Sequence, residues 1–304
     1  MRIASIAQKI ISRPTLPFVL SGRAVNRQVH TLFGRQKWNP SGENILDRDW
    51  DNLIILDACR YDYFEQYANC LPGQLSSMTS VGSGTPEFIR GTFSGRSEFD
   101  LVYISANPWW SLLADQINSK VYKFISLEEF DCQDDVFDVE LPNTVAEYAL
   151  DAADSYPRKR LLIHFNQPHF PHIGETGRDL FGEGNGPSLL SACTQVRPSR
   201  ERLQQSYRET LEEVIPAVEQ LIAELSGKTV VTADHGEMLK DRQSPLPTID
   251  YGHGPGLYTP KLVTVPWFEA EYEERKQITA EKPEETHTAN EKAVVERLKK
   301  LGYR

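Results

Sequence analysis

The stretch TVVTADHGEML, Thr229–Leu239, places a short apolar, β-branched run directly before Asp234 and His235. Such a run is typical of a strand that is covered on both faces of a sheet. Similar runs are NLIILDA (52–58), DLVYISA (100–106), KVYKFI (120–125), RLLIHFN (160–166) and KLVTVPWF (261–268). Helical patterns lie between them at 109–118, 144–156 and 199–225, the last containing Pro216 as an expected kink or break. This alternation predicts an α/β fold with a mainly parallel sheet sandwiched between helices.

Polar residues follow several of these predicted strands. Asp57 comes directly after NLIIL, and Asp234 and His235 come directly after TVVTA. In open α/β sheets, ligands bind beyond the carboxyl ends of the strands, so these side chains are expected to lie close together. Carboxylate and imidazole groups suit a divalent cation, and Gly236 permits a sharp turn there. The alternative for Asp57 is a helix N-cap.

Two further segments contribute histidines. In HFNQPHFPH (164–172), two prolines exclude a regular helix, so His169 is best placed to reach a pocket, whereas His164 belongs to the strand or its surroundings. In YGHGP (251–255), the glycines on both sides of His253 allow the backbone to approach a ligand closely. The alternative there is a Gly-Pro turn with a solvated histidine.

A nucleophile is expected in SVGSGTPEFIRGTFSGR, residues 80–96. Thr85, Pro86 and Glu87 form an N-cap, a first helical residue and an acidic first turn. A hydroxyl at a helix N-terminus lies near unpaired amides and the positive end of the helix dipole, which favours binding of an oxyanion. Thr85 is therefore the candidate nucleophile. Ser83 is the alternative, and a purely capping role for Thr85 stays open.

Composition limits the function classes. The chain has 304 residues and a formal net charge of −10, which argues against general nucleic-acid binding. No stretch reaches the roughly 20 apolar residues of a membrane span, and the N-terminus lacks a signal-peptide pattern, so we expect a cytoplasmic protein. Its four cysteines show no paired spacing that would predict a zinc knuckle or a disulfide framework.

The charge distribution suggests three parts. Residues 1–49 are expected to form a basic arm, because seven Lys or Arg residues precede the first acidic residue, Glu43. This arm either packs on the acidic domain or makes peripheral contact with an anionic membrane surface. Residues 50–268 are expected to form the catalytic α/β domain. Residues 269–304 are expected to form a charged tail that ends in an amphipathic helix, NEKAVVERLKKLG.

Together, these motifs resemble the alkaline phosphatase/sulfatase superfamily over residues 50–268. NLIILDACRYDYF resembles the strand that delivers a metal-ligating Asp, and TPEFIRGTFSG resembles the nucleophile helix, with ten residues from Thr85 to Gly95. HFNQPHFPH and TADHGE resemble the histidine segment and the Asp-His ligand pair. YGHG resembles the Tyr-Leu-His-Gly of phosphoethanolamine and glycerophosphate transferases. The resemblance implies an alkaline-phosphatase-like, three-layer architecture.

The resemblance also implies a site and a reaction. Asp57, Thr85, Asp234 and His235 would hold a divalent metal, with zinc or manganese as the first expectation and calcium or magnesium as alternatives. His169 and His253 would bind the non-bridging oxygens of the substrate or help to form a second metal site. Arg60 would orient Asp57 or the substrate. Thr85 would attack the ester to form a covalent intermediate, which water or another hydroxyl would then release.

One departure from the superfamily bears on the substrate. The Cys-x-Pro-Ser-Arg run of sulfatases is absent from the sequence, which favours phosphoester over sulfuric ester chemistry. The leading interpretation is a metal-dependent hydrolase or transferase of phosphate or sulfate esters. Its substrate would be an anionic ester, carried for instance by a glycan or a lipid headgroup. The alternatives are a phospho-headgroup or phosphosugar transferase and a non-catalytic binding protein of the same superfamily. The sequence predicts no oligomeric state.

Overall fold

The computed structural model describes residues 16–127, 136–137, 139–182 and 188–282. Within these ranges, the strands are β1 (Asn52–Leu56), β2 (Gly73–Thr79), β3 (Ser97–Ser105), β4 (Lys120–Ser126), β5 (Arg160–Phe165), β6 (Thr229–Thr232), β7 (Met238–Arg242), β8 (Ile249–Gly252) and β9 (Thr264–Ala270). The helices are α1 (Leu16–His30), α2 (Tyr61–Ala68), α3 (Thr85–Phe93), α4 (Trp109–Leu113), α5 (Pro142–Ser155), α6 (Glu175–Phe181), α7 (Leu189–Val196), α8 (Arg200–Glu224) and α9 (Pro260–Val263). A 3₁₀ turn covers Ile45–Asp47.

The described strands form one large sheet and one hairpin. Seven strands pair in the order β2–β9–β6–β1–β5–β3–β4, whereas β7 and β8 form a separate antiparallel pair. In the large sheet, β9 runs antiparallel to both of its neighbours, β2 and β6, whereas the other described pairs are parallel. At the centre, Ile54 of β1 lies opposite Ile163 of β5 on one side and Val231 of β6 on the other. The predicted fold class, a mainly parallel sheet flanked by helices, is confirmed.

The three central strands form the core because their apolar residues are buried on both faces. Every residue of β1 and β6 is buried, and so is every residue of β5 after its first. The long helix α8 packs against α5, α6 and α2. The helix runs without a break through Pro216, so the break that was one of the two expectations for this residue does not occur. Within the described residues, no helix is both long and apolar enough to cross a membrane.

The structure differs from the sequence-based prediction at four places. The edge strand β2 was missed because GQLSSMT is polar and largely exposed or half-buried, as is typical of a sheet edge. The run KLVTVPWF begins in the helical turn α9 and becomes strand β9 only from Thr264. The hairpin β7–β8 was not predicted. The segment 173–200, interpreted as a loop, contains α6 and α7, and α7 begins at a Ser188 side-chain cap.

The chain termini bear on the predicted division into three parts. Residues 16–30 of the predicted basic arm form helix α1, which packs against the β7–β8 hairpin. Arg23 forms an ion pair with Asp250 at 2.8 Å, and the Asn26 side chain donates to Gln243 at 2.8 Å. Beyond β9, Arg275 pairs with Asp51 at 2.7 Å and so ties the following segment to the sheet. The predicted C-terminal amphipathic helix lies outside the described residues.

Candidate active site

The central strands and one helix start bring four predicted ligand residues together. Asp57 follows β1, Asp234 and His235 follow β6, and Thr85 is the first residue of α3. Because β1 and β6 are parallel neighbours, their carboxyl ends meet at the same edge of the sheet. All four residues are fully buried. The structure therefore places these four side chains in one site, as the motif order predicts.

Nε2 of His235 lies at the same distance from a donor atom of each of the other three side chains. Nε2 of His235 lies 3.4 Å from Asp57 Oδ1, 3.4 Å from Asp234 Oδ2 and 3.4 Å from the Thr85 hydroxyl oxygen. Tetrahedral ligands about 2.0–2.1 Å from a zinc ion are roughly 3.3–3.4 Å apart from one another. The His235 Nδ1 lies 2.9 Å from the carbonyl oxygen of Gly236, which can accept a hydrogen bond but cannot donate one. This contact places the imidazole proton on Nδ1 and directs the Nε2 lone pair into the site.

The charges of the site also favour a cation. Burial, together with the charges of Asp234 and Glu237, raises the pKa of Asp57 well above its ordinary value. For Asp234, burial opposes ionisation, yet the nearby His235 and His164, together with hydrogen bonds from Thr85 and the Ala58 amide, outweigh it and lower the pKa. Two buried carboxylates that face one another repel when both are charged, and a divalent ion between them removes that repulsion. The donor set therefore fits a divalent metal.

Two supporting contacts were not predicted from the sequence. The Asn107 amide donates to Asp57 Oδ2 at 2.7 Å, which fixes the carboxylate. The Tyr103 hydroxyl lies 2.9 Å from His164 Nδ1, and the opposite ring nitrogen of His164 lies 4.0 Å from Asp234 Oδ2. Such outer contacts orient ligands and tune their basicity. Asn107 was detectable, because it follows β3 much as Asp57 follows β1.

A second group of side chains lies beside the first. One potential ligand atom from each of His169, Glu237 and His253 lies within 4.8 Å of the other two. The His253 ring centroid is 4.3 Å from that of His235 and 5.0 Å from that of His169. Burial lowers the pKa of His169 to about 3 and that of His253 well below its ordinary value, so both imidazoles are neutral near pH 7. Glu237 was missed as a site residue, although it is the fourth residue of the Asp-His-Gly-Glu motif.

The surroundings of the two candidate hydroxyls differ. The Ser83 hydroxyl lies 3.0 Å from Glu87 and 2.9 Å from the carbonyl of Gly254, and it accepts from the Leu257 amide at 3.0 Å. It is thus held in a buried structural network. The Thr85 hydroxyl instead lies 3.4 Å from Asp57 Oδ2 and 3.4 Å from the ring of His235. The geometry favours Thr85 over Ser83 as the nucleophile.

Two residues of the predicted motifs contact other parts of the fold. The Arg60 guanidinium donates to Asp62 at 2.7 Å and to Asp241 at 2.7 Å. These contacts join α2 to the β7–β8 hairpin and do not include Asp57. Of the two expected roles of Arg60, orientation of Asp57 is therefore not seen in these contacts, and orientation of the substrate stays a prediction. Nδ1 of His172 lies 2.8 Å from the Ser206 hydroxyl on α8. Both side chains therefore have structural partners within the described chain.

A cavity of about 460 Å³ opens beside the two groups of ligand-type residues. Its inner wall includes His169, Glu237 and His253, and its outer wall carries cations from α1, the turn after α1 and α3: Arg23, Arg27, Lys37 and Arg90. Gly84 also lines it, and a Cβ atom at that position would lie 3.2 Å from the His253 ring. The cavity thus leads from a basic rim to neutral imidazoles and buried carboxylates, an arrangement suited to an anionic substrate.

Comparisons with known proteins gave matches among solved structures alone. No family model matches the chain, and neither does any curated protein. One match is the integral membrane lipooligosaccharide phosphoethanolamine transferase A of Neisseria meningitidis, with 13% identity, a TM-score of 0.49 and coverage of 71% of this chain. The chain spans about half of that protein, 47% of its length.

Two other structural matches have titles that name a metal or a superfamily. The zinc complex of the periplasmic EptC domain of Escherichia coli has 13% identity, a TM-score of 0.45 and coverage of 76% of this chain and 75% of its own. A Vibrio parahaemolyticus protein of the alkaline phosphatase superfamily has 10% identity, a TM-score of 0.42 and coverage of 82% and 65%. These proteins are what the chain is similar to, and its membership of the alkaline phosphatase/sulfatase superfamily stays a prediction from the motifs.

Proposed function

We propose that this chain is a metal-dependent enzyme that transfers a phospho group from a phosphate ester, through a covalent intermediate on Thr85. The observation that carries the proposal is the Thr85 hydroxyl, which lies 3.4 Å from both Asp57 and His235 at the start of α3. This hydroxyl shares one buried site with two carboxylates and an imidazole. Such a set can both hold a cation and activate an oxygen nucleophile.

A zinc or manganese ion fits the donor set better than magnesium or calcium, because one of the ligands is an imidazole. Asp57, Asp234 and His235 would hold it together with the Thr85 oxygen. When bound, the metal would act as a Lewis acid that lowers the pKa of the hydroxyl and polarises the ester. These ligand roles rest on the 3.4 Å that separates His235 Nε2 from Asp57 Oδ1, from Asp234 Oδ2 and from the Thr85 hydroxyl, which is the spacing of neighbouring ligands on one zinc ion.

The remaining roles follow from the positions of the side chains. Asp57 Oδ2, 3.4 Å from the Thr85 hydroxyl, can accept its proton as the oxygen attacks phosphorus. The bond from phosphorus to the ester oxygen breaks in the same step, and the alcohol leaves through the cavity with a proton taken from water. His169 lines the cavity and remains neutral near pH 7, so its one N–H can be donated to a non-bridging oxygen. His253 also lines the cavity, but its Nδ1 lies 3.2 Å from Glu237 Oε1, so it donates an N–H from Nε2 only when Glu237 carries the proton of that contact. Asn107 holds the Asp57 carboxylate in place at 2.7 Å. Water or another hydroxyl entering through the cavity would release the intermediate.

The first test is an activity screen of the purified chain. Nitrophenyl phosphate, bis(nitrophenyl) phosphate and nitrophenyl sulfate would each be supplied with zinc, manganese, magnesium or calcium. We expect cleavage of a phosphate ester with zinc or manganese and a fall of about 1,000-fold or more in kcat for Thr85→Ala. Ser83→Ala, the neighbouring hydroxyl, serves as the matched control and should keep most of the activity. Full activity of Thr85→Ala would remove Thr85 as the nucleophile.

Hydrolysis and transfer are distinguished by the products. Glycerol or ethanolamine would be added as an acceptor, and nitrophenol and free phosphate would be measured in the same reaction. Equal amounts of the two products identify water as the acceptor. An excess of nitrophenol over phosphate identifies transfer to the added hydroxyl. Metal analysis of the same preparation shows whether His169, Glu237 and His253 hold a second ion.

A further inference from the structure

Helix α1 is attached to the domain through polar contacts. Its buried residues are Val19, Gly22 and Asn26. Arg23 pairs with the buried Asp250 and donates to the Tyr251 and His253 carbonyls. A helix on the surface of a water-soluble domain ordinarily directs its apolar residues inward and its polar residues outward. In α1 much of this order is reversed.

The apolar side chains of α1 and of the turn after it point outward. Phe18 and Phe33 are 77% and 79% exposed, which makes them the most exposed large apolar residues in the described chain. The members of this apolar face are Phe18, Val25, Val29, Leu32 and Phe33, each at least 44% exposed. Phe18, Val25 and Val29 share one side of the helix because seven and four residues separate them. Exposed apolar side chains grouped in this way mark an interaction surface.

The charge around the apolar face has a single sign. Residues 16–42 contain four Lys or Arg residues and no Asp or Glu, although the whole chain has a net charge of −10. Arg27, Lys37 and Arg90 form no ion pair within 4.0 Å among the described residues. Apolar side chains beside unpaired cations are the features by which a helix lies on an anionic lipid surface.

We propose that the apolar face of α1 docks on an anionic phospholipid bilayer, with Phe18 and Phe33 inserted among the acyl chains. Arg27 and Lys37 would then contact lipid phosphates. The same two cations line the catalytic cavity, so docking would bring its basic rim next to the headgroup layer. The docking surface itself rests on the contacts and charges of α1. It does not depend on the proposed function.

The test is co-sedimentation of the full chain with vesicles. Phosphatidylcholine vesicles would be compared with vesicles that also contain phosphatidylglycerol. The double variant Phe18→Gln, Phe33→Asn removes the apolar anchors, and Asn tolerates the left-handed backbone of residue 33, whose φ is 59°. Leu141→Gln, an exposed apolar residue outside the face, is the control. We expect binding to the anionic vesicles, a fall of about tenfold or more in the partition coefficient for the double variant, and weakening by salt.

Three results would overturn the proposal. The first is the absence of binding to anionic vesicles, and the second is equal binding by the wild type and the double variant. The third is a concentration-dependent dimer, seen by sedimentation velocity, that the double variant abolishes, since a second copy would then cover the face. Cleavage of a soluble nitrophenyl ester should be the same in the wild type and the double variant. Vesicle binding without any esterase activity would support the docking surface and contradict the proposed function alone.

Discussion

Replacement of Asp57 by asparagine should stabilise the metal-free protein while weakening its metal site. In the wild type, the buried Asp57 carboxylate faces Asp234, with which it shares contact to His235 at 3.4 Å. An asparagine can keep its oxygen toward the Asn107 amide, now 2.7 Å from Asp57 Oδ2, and turn its NH₂ group toward Asp234. Repulsion between two carboxylates is thereby replaced by a hydrogen bond to a charged group.

A hydrogen bond to a charged group contributes about 1.5–3 kcal/mol, so we expect the free energy of unfolding to rise by about 2 kcal/mol. For a domain of this size that corresponds to an increase of roughly 4–8 °C in Tm. Calorimetry in the presence of a chelator measures it. Addition of zinc should reverse the order, because a ligand at 100 times its Kd stabilises the wild type by about 2.7 kcal/mol and Asp57→Asn much less.

The difference in stability between Asp57→Asn and the wild type should depend on pH. Burial and the neighbouring carboxylates raise the pKa of Asp57, so the folded protein keeps this proton to higher pH than the unfolded chain does. Stability from this group is complete below the unfolded pKa of about 4 and is lost as the pH rises through the raised folded pKa. The stability advantage of Asp57→Asn in chelator should therefore grow from about pH 4 upward.

Asp241→Asn is the matched control for Asp57→Asn. Asp241 is also a buried carboxylate, but Arg60 and Arg200 pair with it at 2.7 and 2.6 Å. Its replacement leaves the buried Arg60 with less compensating charge, so the free energy of unfolding should fall. If Asp57→Asn destabilises the metal-free protein as Asp241→Asn does, the inference of a repulsive site built for a cation is refuted.

Three other substitutions test the surroundings of the site. Gly236→Ala would place a Cβ atom 2.2 Å from the Lys261 carbonyl oxygen, so we expect a loss of about 1–3 kcal/mol in urea unfolding and weaker zinc binding in a titration. Arg23→Gln leaves Asp250 buried without its cation, so the free energy of unfolding should fall by about 2 kcal/mol. Equal stability of the variant and the wild type would contradict the attachment of α1 to the β7–β8 hairpin. His169→Gln should lower kcat/KM by about 100-fold without changing the metal content, and an unchanged kcat/KM would remove it from oxyanion binding.

The apolar runs predicted the central sheet, and the resemblance to the superfamily gave the four residues that cluster beyond its strand ends. Apolar runs identify strands that are buried on both faces, and residues at the ends of parallel neighbours must converge. Asp57, Asp234 and His235 satisfied that rule. Thr85 was found from its helix-start pattern. The order of the strands in the sheet, which makes β1 and β6 neighbours, was not predicted from the sequence.

Other features depend on contacts between distant segments, which no local pattern encodes. The polar edge strand β2 exists because β9 pairs with it along its whole length. Arg60 precedes α2 and was expected to orient Asp57 or the substrate, but Asp241, 181 residues later, pairs with its guanidinium. In helix α1, Arg23 and Asn26 contact Asp250 and Gln243, which are more than 200 residues away in the sequence. Tertiary partners, rather than propensities, decide the roles of these residues.

The most direct test of the central claim is the metal content of the purified, zinc-equilibrated chain, measured by inductively coupled plasma mass spectrometry for the wild type and for Asp234→Asn. We expect at least one tightly held ion per wild-type chain and a large loss in the variant, because Asp234 is one of the ligands proposed around the Thr85 oxygen. Absence of bound metal from the wild type, or equal content in the two proteins, would contradict the assignment of Asp57, Thr85, Asp234 and His235 as a metal site.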